Sequence, residues 1–73
     1  MSRSKELIEI DGEVLEVRYP HDRTKPGSVH FYDGKIKTWL PYQFCEGVDG
    51  ETIRVGDKSI MVQEWLAHDR GLT

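Results

Sequence analysis

The chain has 73 residues, a formal net charge of −3 and a single cysteine, Cys45. That length allows one domain, residues 1–73, and one cysteine excludes an intrachain disulfide and fits a reducing compartment. No run approaches the roughly 20 apolar residues of a membrane-spanning helix, and Met1-Ser2-Arg3-Ser4-Lys5 is not followed by an apolar stretch, so we expect a cytoplasmic protein with no membrane segment or secretory signal.

Asp11-Gly12 is the first turn signal, set between Leu7–Ile10 and Glu13–Tyr19. Asp-Gly flanked by alternating apolar residues predicts a hairpin with a type I′ turn. Pairing Ile10 with Glu13 puts Ile8, Leu15, Val17 and Tyr19 on one face and Glu9, Glu16 and Arg18 on the other, with Val14 the apolar exception on the polar face. A polar loop, Pro20–Gly27, follows, stiffened by Pro20 and Pro26.

Asp33-Gly34 predicts a second hairpin between Ser28–Tyr32 and Lys35–Leu40. Pairing Tyr32 with Lys35 puts Val29, Phe31, Ile36, Thr38 and Leu40 inward and His30, Tyr32, Lys35, Lys37 and Trp39 outward. Pro41 ends the strand or confines it to an edge, because it has no N–H to donate. The loop from Tyr42 to Gly50 starts semi-apolar and is expected to pack down there as one 3₁₀ turn. Gly56-Asp57 predicts a third hairpin, between Thr52–Val55 and Lys58–Val62, with Ile53, Val55, Ile60 and Val62 on one face and a type II′ turn.

The tail from Val62 to Gly71 reads as a short helix. Val62, Trp65 and Leu66 recur at helical spacing, and Gly71 suits the left-handed position after the last turn. About ten residues do not hold a helix in water alone, so Trp65 and Leu66 are expected to dock on the sheet. The fold class expected is mainly β: a small barrel or curled antiparallel sheet of three hairpins, SH3-like or OB-like, with one short C-terminal α-helix.

Charge is unevenly spread. Residues 17–40 carry five basic and two acidic side chains, between flanks where acids outnumber bases by five to two and six to three. The second half also carries a resemblance. Trp39-Leu40-Pro41 at a strand end, Glu64-Trp65-Leu66-Ala67 in a helix and the closing Gly71-Leu72 resemble a pattern in small phage- and prophage-encoded proteins, over roughly residues 28–72. Those proteins usually follow the proline with Lys-Ser-Gln-Ile, where this chain has Tyr42-Gln43-Phe44-Cys45. The resemblance implies a phage-type origin and transfers no activity and no site.

Catalytic signals are weak. A free cysteine is more often a small buried hydrophobe than a nucleophile, and nothing places a base beside Cys45. His-Asp-Arg occurs at 21–23 and again at 68–70, one copy in a loop and one at a helix end, which chance explains better than a repeat. The three widely spaced histidines and one cysteine do not make a zinc site, and no residue pattern calls for a cofactor. The informative constellation is the outward face of the second hairpin. His30, Tyr32, Lys35, Lys37 and Trp39, with Tyr42 beyond the proline, form a candidate binding surface. It suits a protein partner, because aromatics are enriched at binding hot spots. It also suits a single-stranded nucleic acid, for which aromatics stack and lysines neutralise phosphates. The first expectation is therefore a non-enzymatic phage accessory module contacting a host protein complex, an inhibitor of host defence being one version. In that version Glu6, Glu9, Asp11, Glu13 and Glu16 begin a DNA-mimicking surface. The alternative is a nucleic-acid binder, and homodimerisation is left open.

Overall fold

The computed structural model describes residues 5–20 and 27–73. The expectations for the N-terminal tetrapeptide, for the 21–26 part of the polar loop and for the first His-Asp-Arg lie outside the described residues. Two three-stranded antiparallel sheets enclose one core. One runs β1 (Leu7–Asp11), β6 (Ser59–Gln63), β5 (Cys45–Glu46), and the other runs β2 (Glu13–Arg18), β3 (Ser28–Tyr32), β4 (Lys37–Pro41). They are curled sheets and not a closed barrel. A 3₁₀ turn at Tyr42–Phe44 joins β4 to β5, as the semi-apolar start of that loop predicts, and one helix, α1 (Glu64–Asp69), follows β6. Among the described residues no helix is long and apolar enough to cross a membrane.

The strand partners differ from those the turns predict. Asp11-Gly12 does not make a hairpin: β1 pairs with β6, and β2 pairs with β3. Gly12 is a corner where one long strand passes between sheets. Its N–H donates to the Lys58 carbonyl at 2.8 Å, and the next turn is stitched by Val14 N to Asp57 O at 2.9 Å and Gly56 N to Val14 O at 2.8 Å. The left-handed backbone that Asp-Gly suggests is not used at Gly12, whose φ is not positive. Glycine is required there for another reason. A Cβ would collide with the Tyr32 carbonyl oxygen and sit 2.7 Å from Phe31 Cζ.

A second correction concerns Val14. The pairing of β2 with β3 slips between Val14 and Glu16, leaving Leu15 as the extra residue of a bulge. A bulge reverses the alternation beyond it. Val14 is therefore fully buried, while Val17 turns inward to pack against the core and Glu16 and Arg18 stay outward.

The second hairpin forms, but with a longer turn. Tyr32 pairs with Lys37 and not with Lys35. Asp33 holds the connection together: its Oδ1 accepts from the N–H groups of Lys35 and Ile36, both at 2.8 Å. A shift of two residues preserves the faces, because side chains alternate with period two. Val29, Phe31 and Leu40 are fully buried as expected, whereas Ile36 falls in the turn and is exposed.

The third hairpin is also absent. Thr52–Val55 is not a strand, and β6 takes β1 and β5 as neighbours. Ile53, Ile60 and Val62 are buried as expected, but Val55 is 64% exposed. It occupies a turn closed by Asp57 N to Arg54 O at 3.1 Å, with positive φ at Gly56, the third residue of the turn and not the second.

The helix is shorter than its spacing predicts, since Val62 remains in β6. Its end is as read. Gly71 has φ 74°, its N–H donates to His68 O at 3.1 Å, and Leu72 N donates to Ala67 O at 2.8 Å. This pair of bonds is the Schellman arrangement, which satisfies the last carbonyls and turns Leu72 back onto the core. Leu66 and Ala67 are buried, and Trp65 meets the Phe44 ring edge-on at 5.1 Å. Fully burying a residue the size of Leu66 contributes about 1.5–3 kcal/mol, which is what holds so short a helix.

Candidate functional site: the outer face of β2–β3–β4

The register brings three cross-strand rows onto the solvent side of this sheet. They are Glu13–Tyr32–Lys37, Glu16–His30–Trp39 and Arg18–Ser28–Pro41. Directly opposed residues in an antiparallel sheet project to the same side and touch. Trp39 is 38% exposed, and its indole stacks on His30 with ring centroids 4.4 Å apart and planes 7° from parallel. The Arg18 guanidinium carbon lies 4.7 Å from the same indole centroid, and Arg18 Nε donates to Glu16 Oε2 at 2.9 Å. Each of these exposed contacts contributes on the order of 1 kcal/mol or less. Together they bias the orientation of Trp39 without locking it.

Beside Trp39 the surface dips into a groove of about 400 Å³, lined by Gly27, Ser28, Pro41, Gln43 and Arg70. Arg70 crosses it, with Nε 3.4 Å from the Trp39 carbonyl oxygen and Nη1 2.6 Å from Asp69. Lys37 lies opposite Tyr32 and has no ion pair among the described residues. The face therefore mixes two carboxylates, Glu13 and Glu16, with two cations, Arg18 and Lys37, around an exposed indole.

Of the residues singled out in the sequence, His30, Tyr32, Lys37 and Trp39 share this face. Lys35 lies in the exposed turn at its end. Tyr42 does not belong to it. It sits in the 3₁₀ turn, packs against the core and meets the Tyr19 ring at 6.0 Å, while Tyr19 OH donates to the Ile53 carbonyl. Arg18 and Glu16 were missed as members. Their outward alternation is legible in the sequence, but their place beside His30 and Trp39 depends on β2 pairing with β3.

The acidic residues near the N-terminus divide between the two sheets, with Asp11 and Glu13 meeting at the Gly12 corner, where they line one groove. Glu9 and Asp11 project from the β1–β6 sheet and Glu13 and Glu16 from the other. Glu13 is bonded to Lys58 at 2.9 Å and Glu16 to Arg18.

Cys45 is half-buried beside the core, and among the described residues its Sγ has one polar partner, the Pro41 carbonyl at 3.5 Å. Burial pushes its thiol pKa up to about 12. A nucleophilic cysteine needs the opposite shift. Among the described residues no group of three or more His, Cys, Asp or Glu side chains is placed to hold a metal ion. Comparison of the chain with protein-family models, with curated proteins and with solved structures found no match in any of the three.

Proposed function

We infer that this domain is a non-enzymatic binding module that acts by protein–protein contact through the outer face of β2–β3–β4, with Trp39 as its anchor. The observation that carries this reading is the exposed indole, held by His30 and Arg18 at the rim of a groove. Tryptophan, tyrosine and arginine dominate the energetics of protein interfaces, and an anchor already oriented loses less entropy on binding. The raised pKa of the Cys45 thiol argues against a cysteine nucleophile at this site. The phage-type pattern of Trp39-Leu40-Pro41 and Trp65-Leu66-Ala67 supports an accessory protein of phage or prophage origin whose partner is a host protein complex, a defence complex being the version with the clearest use for a small inhibitor.

The balance of charge favours a protein over a nucleic acid. A strand-tracking surface needs cations free to replace counterions. Here Arg18 is shared with Glu16 and Lys58 with Glu13, which leaves Lys37 as the unpaired cation of these three rows among the described residues. A base would also find at least one face of the indole already occupied by His30.

The test compares tagged wild type with Trp39→Ala in pull-downs from nuclease-treated host lysate. A defined complex is expected on the wild type. Trp39→Ala, still folded by circular dichroism, should weaken it about thirtyfold or more, because truncating a hot spot costs about 2 kcal/mol or more. A complex retained equally by Trp39→Ala would overturn the assignment of the face. Micromolar binding of short oligonucleotides that collapses with salt and with Lys35→Ala, Lys37→Ala and Trp39→Ala would move the reading to single-stranded nucleic acid.

A further inference from the structure

The free edge of β1 belongs to the other sheet from the Trp39 face and is unlike the edge of β4. Two bonds bracket the pairing of β1 with β6: Glu64 N to Glu6 O at 2.8 Å and Gly12 N to Lys58 O at 2.8 Å. Backbone groups alternate sides along a strand, so Ile8 and Ile10 face β6, and the N–H and C=O groups of Leu7, Glu9 and Asp11 face away from it. Among the described residues nothing bonds to them, and all three residues are exposed. Along β2 the same side of the chain is taken by β3. That strand ends at Tyr32, and the turn Asp33–Ile36 carries the chain back into β4. Among the described residues, the edge occupied by β3 alongside β2 is therefore vacant alongside β1. A groove of about 370 Å³, lined by Asp11, Gly12, Glu13, Tyr32, Asp33 and Gly34, marks where the occupied edge stops and the vacant one starts.

The edge of β4 is guarded by comparison. The Asp33 N to Ile36 O bond sets the alternation there and turns Lys37, Trp39 and Pro41 outward. Pro41 has no N–H, Arg70 reaches the Trp39 carbonyl, and Lys37 contributes a charge. Proline, lysine and a covering side chain are the usual protections of an edge strand. The β1 edge carries two charges, Glu9 and Asp11, but none of the residues from Leu7 to Asp11 is a proline or a lysine, and among the described residues no side chain bonds to its outward backbone groups.

We propose that the free edge of β1 accepts an added strand from a partner protein, an extended segment in which basic residues alternate with apolar ones. The added strand would bond to the backbone of Leu7, Glu9 and Asp11 in line with β3. Its outward side chains lie beside Glu9 and Asp11, which have no ion-pair partner among the described residues, so lysine or arginine suits them. Its inward side chains lie beside Ile8, which is only half-buried, so apolar residues suit them. A second copy of this chain fits worse, because antiparallel pairing of two β1 edges centred on Glu9 sets glutamate against glutamate.

The test is amide hydrogen exchange of the whole chain at low salt, with and without a capped hexapeptide of alternating Lys and Val. Exchange at the Leu7, Glu9 and Asp11 amides should slow about tenfold or more, with Ile8 and Ile10 little changed. The same peptide N-methylated at alternate positions keeps its charge, loses its bonds and should give no slowing. The double variant Glu9→Lys, Asp11→Lys should lose the basic peptide and bind the Glu/Val counterpart. Trp39→Ala should leave all of this intact, so the result is independent of the face assigned above. No slowing with the Lys/Val peptide would overturn the proposal. So would equal slowing with the N-methylated peptide, or slowing that follows protein concentration alone, the signature of self-pairing.

Discussion

Replacing Gly12 with alanine tests the corner on which both sheets turn. The added Cβ would lie 2.7 Å from Phe31 Cζ and 3.0 Å from Asp33 Cα, and would overlap the Tyr32 carbonyl oxygen. Two of those three neighbours are backbone, and the third belongs to a fully buried ring, so none yields freely. Overpacking a rigid site costs about 1–3 kcal/mol, and this one, with backbone on two sides, belongs near 3 kcal/mol. A 73-residue domain has roughly 4–11 kcal/mol of stability in total. The melting temperature should therefore fall on the order of 15 °C, read by thermal unfolding in circular dichroism. Gly71→Ala is the reference. Its Cβ meets only Ile36 Cδ1, at 3.8 Å, so it carries the left-handed backbone penalty of about 1–2 kcal/mol and little else. Gly12→Asn separates the two accounts of Asp11-Gly12. At the second central position of a type I′ turn asparagine tolerates the left-handed backbone better than most non-glycine residues, alanine included. At a corner where even a methyl group collides, it should be worse than alanine. A Gly12→Asn protein as stable as wild type would refute the corner and restore the hairpin.

Cys45 should react slowly with iodoacetamide in the native protein and quickly in denaturant. Its folded pKa is raised from 9.0 to about 12, so its contribution to stability is full below the unfolded value and is lost as pH rises from 9.0 towards about 12. Cys45→Ser should flatten that alkaline decline in thermal unfolding. Asp33 behaves oppositely. The N–H groups of Ile36 and Lys35 hold its carboxyl below the usual range, so its contribution is present above the unfolded pKa and is lost as pH falls through the folded one. Asp33→Ala should lower the melting temperature at neutral pH, and the difference from wild type should vanish in acid.

Two kinds of information were legible in this chain to different depths. The alternation in Ser28–Tyr32 and Lys37–Leu40 named the buried and exposed residues correctly although the turn was misjudged, because a register error of two leaves every side chain on its own face. The Schellman end at Gly71 and the 3₁₀ turn at Tyr42–Phe44 were likewise local and likewise legible. Val14 was misplaced because a bulge is invisible to a period-two pattern until its partner strand is known. Asp11-Gly12 was misread because glycine serves two purposes, a left-handed backbone and close approach, and the dipeptide does not say which. The candidate site shows the same division. The sequence by itself determined that His30, Tyr32, Lys37 and Trp39 would point one way, since that follows from geometry within a single hairpin. Tertiary structure alone decided that Arg18 and Glu16 join them, that Tyr42 leaves, and that β1 keeps an edge with no neighbour among the described residues. Those outcomes depend on which strand lies beside which, and pairing between segments distant in sequence is set by how the whole apolar surface can be enclosed at once.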